Sequence, residues 1–284
     1  MTVIHVVVLA IIQGLAELLP VSSSAHVVVA EKLMGLDPSR PELTLLLVLL
    51  HTGTMCAVIV YFWKDWSRHY FGSAAALTRF ALLIVVASAL TGAIALLVAR
   101  AVERAIFGTG PHAQVEDLFG HLELIGPALS AVGVLIVVAY LRERRIAKRS
   151  EVTLTQSAVI GAVQGLGLPF RGFSRSGATI SVGMMIGVEK RVAEAFSFAL
   201  AVVLTPPVVA REALRLKSAG NTLSAAQMHS AVGLSILGGA LAFVAGLLAL
   251  KWLSAWLERG RWYLFGGYCI VAGIAVAVLH FRGF

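Results

Sequence analysis

The sequence predicts an all-α integral membrane protein, a polytopic helical bundle made of two inverted-topology repeats. Three observations carry this. The 284 residues are 58% hydrophobic and only 13% charged, with a mean hydropathy of +0.88, far from the soluble range. Several apolar runs reach the roughly 18 residues that cross a bilayer as helix, and no barrel-like alternation is visible, so helices must satisfy the backbone in lipid. Finally, two stretches that interrupt this pattern resemble each other.

The elements follow in order. Residues 3–35 are apolar but broken by Gly, Ser and Pro. They read as one helix with a ragged end, or as two short helices joined by a polar turn. Full spans follow at about 42–63, 79–100 and 121–141. Residues 152–188 are broken in the same way, and spans follow at about 192–210, 229–251 and 262–281. Placing Gln13 on Gln164 sets AIIQGLAELLPVSSSAH over GAVQGLGLPFRGFSRSG. Both hold Gln-Gly-Leu, then Pro, then a serine-rich turn, and Ser23 falls on Ser174. The chain therefore reads as a single membrane domain, 1–284, with repeat one at about 1–143 and repeat two at about 151–284. Each repeat is a broken pair plus three spans. An odd number of spans inverts the second half, and matched broken helices in inverted halves mark a site near the bilayer midplane.

Charge sets orientation. With each broken pair re-entering on its own side, thirteen Lys and Arg, including those of the run RERRIAKR, fall on one face and eight on the other, with Arg171 and Arg175 inside the second broken region. The positive-inside rule places the richer face in the cytoplasm and both termini outside. The net charge of +8 is read as loops facing anionic membrane lipid, not as a nucleic-acid surface. The N-terminus has no charged n-region or small-residue cleavage site, so it reads as a membrane segment and not a removed signal. Cys56 and Cys269 each lie in an apolar run, which argues against a disulfide or cysteine metal site. Glu103, Glu116, Asp117 and Glu123 read as a solvated loop. Trp63, Trp66, Trp252, Trp256 and Trp262 read as interfacial anchors at span ends. His51, Thr52, Pro206 and Pro207 read as packing and kinking residues.

Ionisable residues inside a membrane are functional by default, and Glu17 and Arg175 lead. Glu17 lies one helical turn after Gln13, on the same face. Arg175 offers a planar fork suited to phosphate, or a partner for Glu17. Ser174, Ser176 and Thr179 add hydroxyls, Gly172 and Gly177 admit a close anion, and a helix starting after SRSG would aim its positive end there. In the first turn Glu17 suits a divalent metal or a general base, and Gln13 could ligate through its carbonyl or orient a water. Ser22, Ser23 and Ser24 are candidate nucleophiles or simply a helix cap, and His26 is a candidate base or nucleophile. This set suits phosphoryl transfer, where charge neutralisation and positioning dominate.

At these turns the chain resembles the undecaprenyl-diphosphate phosphatases, bacterial inner-membrane enzymes of the bacitracin-resistance type. Their (E/Q)xxxE segment, P-[VI]-S-S-[ST]-G-H turn and PGxSRSGxT turn appear here as Gln13-GLA-Glu17, PVSSSAH and RGFSRSGAT. The resemblance implies re-entrant helix pairs in each repeat. It also implies removal of one phosphate from a C55 polyprenyl diphosphate lipid, with Mg²⁺ or Ca²⁺, to recycle the carrier of cell-wall synthesis. By the same resemblance Glu17 is the essential acid, Ser23 is the nucleophile or a hydroxyl ligand, and His26 is the alternative nucleophile or an acid/base. Ser174, Arg175, Ser176 and Thr179 hold the diphosphate, and the site opens on the outer side. A homodimer is allowed but not specified. The chain departs from the pattern at Ala25, where the family has Gly, and at Arg171, where it has Pro. Arg171 either binds the distal phosphate or snorkels to the interface. The opposing reading is a transporter or flippase for a polyprenyl phosphate or another anion, since inverted broken helices are also the transporter plan. A nucleophile turn beside a carboxylate favours the enzyme.

Overall fold

The computed structural model describes residues 1–37, 40–107, 122–143, 148–218 and 225–282. Glu116, Asp117, Arg144 and Arg145 lie outside the described residues. The described residues form ten helices: α1 (Val3–Leu18), α2 (Ser23–Leu33), α3 (Pro41–His69), α4 (Ala74–Phe107), α5 (Leu122–Glu143), α6 (Leu154–Gly167), α7 (Arg175–Met185), α8 (Lys190–Ser218), α9 (Ala225–Glu258) and α10 (Trp262–Phe281). Among them there is no strand, only an isolated bridge between Arg149 and Val188. Among the described residues five helices are long and apolar enough to cross a membrane: Pro41–His69, Ala74–Arg104, Leu124–Glu143, Met228–Glu258 and Trp262–Phe281. The remaining expected span, 192–210, lies within α8, which carries Pro206 and Pro207.

Both interrupted stretches are two short helices joined by a turn. Local chemistry explains their ends. Thr2 caps α1 by accepting from the His5 N–H. Thr153 and Gln156 form a capping box on α6, and the Gln156 amide also donates to the Ile186 carbonyl at 2.9 Å. The second helices end alike. Gly35 and Gly187 adopt φ of 64° and 89°. Leu36 N–H then bonds Glu31 O, and Val188 N–H bonds Gly183 O, both at 2.9 Å. This Schellman closure needs a left-handed residue, which glycine supplies without strain.

The chain divides into two compact units. The first gathers Met1–Leu19, His26–Trp63 and Ala201–Leu253. Its core joins Val6, Leu9 and Ala10 of α1, Val27 and Ala30 of α2, Leu43, Leu46 and Leu50 of α3, and Ala242 of α9. Lipid gives helices no hydrophobic reason to associate, so small residues that admit close backbone contact must do it. A Cβ on Gly14 of α1 would meet Ala242 O at 2.8 Å, Ala245 Cβ at 2.5 Å and Gly246 N at 3.2 Å. Gly53 of α3 lies as tightly against the Gly239 carbonyl of α9.

The second unit gathers Pro20–Ala25, Lys64–Leu200 and Ser254–Phe284. Here α6 runs parallel to α4. Ser157 Oγ donates to Leu83 O at 2.6 Å, Gly161 abuts Ala87 O, and Thr91 Oγ1 donates to Gly161 O at 2.9 Å. A Cβ on Gly165 would meet Thr91 O at 2.6 Å, Ile94 Cβ at 2.8 Å and Ala95 N at 3.1 Å. That is the same trio of atom types that Gly14 meets on α9. α10 runs antiparallel to α5, with Gly126 against Gly273 O and Gly133 against Gly266 O, each at 2.8 Å. α7 packs on α5 and α6.

Some expectations change. Trp66 and Trp262 are buried, not interfacial, because their indole N–H groups donate to Ala195 O at 3.3 Å and Ser181 Oγ at 3.0 Å. Trp63 and Trp252 are exposed, as anchors would be. Glu103 and Glu123 fall within α4 and α5, since these helices run on past their apolar stretches. Both cysteines are free thiols.

Replacing Gly161 by Val should therefore destabilise the protein by about 1–3 kcal/mol, as overpacking does. Gly92→Ala, whose new methyl would meet nothing within 4 Å, should not. Melting temperatures of the two variants in detergent check this.

Candidate functional site

The serine turn belongs to the second unit, Pro20–Ala25. Ser22 precedes α2 and is 5% exposed. Its φ is 66°, and it is the one non-glycine residue at positive φ among the described residues. Such a conformation costs about 1–3 kcal/mol and persists where surroundings impose it. Ser22 Oγ and Ser24 Oγ share a hydrogen bond at 3.2 Å. The thiol of Cys269 on α10 donates to the Pro20 carbonyl at 3.2 Å. Ser23 opens α2 and is half-buried, and half-buried His26 lies three residues further along the same helix.

The second turn lies in the same unit. Gly172 has φ of 100°, and a Cβ there would sit 2.5 Å from Ile125 O, so glycine is required twice over. Ser174 caps α7 by accepting from Gly177 N–H at 3.2 Å, and shares a hydrogen bond with Ser176 at 3.4 Å. Arg175 is the first residue of α7 and is half-buried, as is Arg171. Gly177 and Thr179 are buried. The Thr179 hydroxyl turns back to Arg175 O at 2.8 Å, into the helix.

The two turns meet. Gly172 N–H donates to Ser24 Oγ across 148 residues, at a long 3.5 Å. Their internal bonding matches as well: Ser22–Ser24 repeats as Ser174–Ser176. The ungapped sequence register had set Ser23 on Ser174. The hydrogen bonds instead set Ser22 on Ser174, one residue away, and therefore Ser23 on Arg175. The slip comes from an extra residue between the Gln-Gly pair and the serines of the second stretch.

The carboxylate lies in the first unit. Gln13, 1% exposed, donates through Nε2 to Glu17 Oε2 at 3.2 Å. That orientation leaves the Gln13 carbonyl oxygen as a ligand or acceptor. His51 Nε2 lies 3.8 Å from the same Glu17 oxygen. Its Nδ1 contacts Leu47 O at 2.9 Å, and since a carbonyl only accepts, Nδ1 carries the proton. The sequence reading had assigned His51 to packing. An ionisable side chain inside an apolar run was the signal that could have placed it here. Among the described residues no three His, Cys, Asp or Glu converge as a transition-metal cage would need. One carboxylate with amide oxygen fits a hard cation completed by phosphate oxygens and water.

A cavity of about 250 Å³ lies elsewhere in the second unit, bordered by Asp65, His69, Tyr70, Arg79, Glu151 and Arg191. It contains none of the expected site residues. Arg79 pairs with Glu151 at 2.7 Å and Arg191 with Asp65 at 3.1 Å, which leaves its cations already neutralised.

The described family "Bacitracin resistance protein BacA" matches residues 6–275. Undecaprenyl-diphosphatase 2 of Acinetobacter baylyi is 51% identical, over 98% of either chain. The undecaprenyl-diphosphatase of Desulfosudis oleivorans is 37% identical over 94% of each. That of Desulfatibacillum aliphaticivorans is 35% identical over 98% of this chain and 99% of its own.

Burial, and secondarily the nearby Glu151, push the Tyr70 phenol from 10.0 up to about 12, with Arg79 opposing. The neutral phenol is thus favoured by folding. Its stabilising contribution is whole below pH 10 and is lost as pH rises towards 12. An ultraviolet titration of wild type minus Tyr70→Phe should show this tyrosinate forming near pH 12 and not near 10.

Proposed function

The chain belongs to the bacitracin resistance protein BacA family, and from that premise we propose that it is an undecaprenyl-diphosphate phosphatase. It removes one phosphate from undecaprenyl diphosphate and returns the monophosphate carrier to cell-wall synthesis. Water supplies the new oxygen on the terminal phosphorus, the P–O–P bridge breaks, and inorganic phosphate leaves. The meeting of the two motif turns at Ser24 and Gly172 is the observation that carries this reading. It sets a serine turn beside the N-terminus of an 11-residue helix that opens with Arg175, where a diphosphate is neutralised by a planar guanidinium and helix N–H groups.

Roles follow from position. Arg175 and the α7 N-terminus hold the terminal phosphate, with Ser174 and Ser176 alongside and Arg171 on the remaining charge. Ser23 and His26 are the groups that attack or pass a proton, and Glu17 is the acid. Glu17 and the Gln13 carbonyl would hold Mg²⁺ or Ca²⁺. When bound, that cation neutralises phosphate charge. His51 steadies the Glu17 carboxylate.

The same reading includes two inverted repeats with re-entrant pairs. Three parallels support it: Gly14 and Gly165 meet equivalent atoms on α9 and α4, the short helices close alike at Gly35 and Gly187, and α5 and α10 cross antiparallel through exchanged glycines. The site opens to the outer face of the bacterial inner membrane. In support, α7 carries the phosphate turn at one end, about 16 Å by helix rise from the basic Arg149, Lys190 and Arg191 near its other end.

Phosphate release from a polyprenyl diphosphate in detergent tests the proposal. Arg175→Ala should lose on the order of 100-fold or more in rate, and Arg175→Lys should recover little, because an ammonium cannot form the bidentate fork. Release should stop in EDTA and return with Mg²⁺ or Ca²⁺. Of Ser23→Ala and His26→Ala, the variant with the larger loss in kcat identifies the attacking group. Wild type that binds the lipid diphosphate but releases no phosphate would promote the anion transporter instead.

A further inference from the structure

Thr179 belongs to the SRSGAT motif, yet it is fully buried, with its hydroxyl directed into the protein. Three oxygens surround that hydroxyl. Arg175 O lies at 2.8 Å, Ser176 O at 3.4 Å and Ser197 Oγ at 2.5 Å. The two carbonyls only accept, and Thr179 has a single proton to give. The nearer carbonyl, Arg175 O, takes it. Ser197 must then be the donor to Thr179, which fixes the direction of the chain: Ser197 to Thr179 to the Arg175 carbonyl. Ser197 is itself 3% exposed and sits in the apolar stretch FSFAL of α8.

We propose that Ser197 is a positioning residue for the phosphate-binding turn. It acts through Thr179 on the backbone of Arg175, and so on where the guanidinium and the α7 N-terminus stand. The inference rests on the phosphatase reading, in which Arg175 holds the diphosphate. A hydroxyl network of this kind is satisfied only as a whole, because removing one buried partner leaves another without its bond. α7 is also tied elsewhere, since Ser181 Oγ accepts from Trp262 Nε1 at 3.0 Å. That second tie makes no bond to Arg175, which makes it the comparison for a merely structural role.

The experiment compares Ser197→Ala, Thr179→Val, their double variant, Thr179→Ser and Ser181→Ala. Each is measured for melting temperature, for kcat and KM on a polyprenyl diphosphate, and for equilibrium binding of that lipid. Ser197→Ala should lower kcat/KM about ten-fold, chiefly through KM, with weakened binding to match. Thr179→Ser, which keeps the hydroxyl, should stay near wild type. The double variant should be no worse than Thr179→Val alone, because both cut one chain. Ser181→Ala should lower the melting temperature with KM unchanged. The proposal is overturned if Ser197→Ala behaves like Ser181→Ala, or if the two losses simply add. Should wild type bind the lipid without hydrolysing it, the phosphatase reading fails, and the binding constants alone decide on Ser197.

Discussion

Close backbone approach between helices is the constraint on which the rest of this structure depends. In lipid, a leucine face gains nothing by leaving its surroundings for another helix, so attraction must come from contact at short range and from hydrogen bonds. The described crossings are built that way. Gly14 lies on α9, Gly161 and Gly165 on α4, and Gly126 and Gly133 on α10, each so near a partner backbone that a methyl group would collide. Where carbonyls come this close, hydroxyls join them: Thr91 and Ser157 bridge α4 and α6. Gln164 shows the same economy. Its amide is turned to Thr91 at 3.1 Å and so joins α6 to α4, whereas the Gln13 amide of the other Gln-Gly-Leu triplet turns to Glu17.

Much of this was legible in the sequence, for identifiable reasons. Gly, Ser and Pro inside apolar runs announced the broken pairs, because nothing else explains polar turns where polarity is costly. Arg175 and Glu17 stood out for the same reason. What stayed hidden depended on partners distant along the chain. Trp66 and Trp262 sit at span ends, as anchors do, and only the carbonyl of Ala195 and the hydroxyl of Ser181 explain why they are buried. Ser197 is an unremarkable serine in an apolar segment until Thr179 is placed against it. The register of the serine turns was misjudged by one residue because identity favoured the ungapped alignment, while hydrogen bonds follow helix starts.

The two turns solve one problem by different means. Each must turn the chain sharply into the start of a short helix, at Ser23 and at Arg175. The second uses glycine at its left-handed position, where the Ile125 carbonyl leaves room for nothing larger. The first places Ser22 in that conformation and bears the strain. It is held there by the bond between Ser22 and Ser24 and by the Cys269 thiol on the Pro20 carbonyl. Among the described residues Ser22 is the one non-glycine that bears such strain, and it lies in the turn that carries the candidate nucleophile Ser23.

An 11-residue helix such as α7 is too short to be stable alone, and its dipole helps an anion only if the helix is already in place when the anion arrives. The structure supplies that rigidity from all sides. Thr179 and Ser197 fix the first turn and with it the Arg175 backbone, while Ser181 and Trp262 in the middle and the Gln156 amide on Ile186 O at the end, where Gly187 closes the helix, keep the rest of the helix folded without touching Arg175. Each tie reaches a different element: α8, α10 and α6. Under the proposed function, helix N–H groups and the Arg175 guanidinium then need little reorganisation when a phosphate binds. That is the condition under which fixed dipoles stabilise developing charge better than water would.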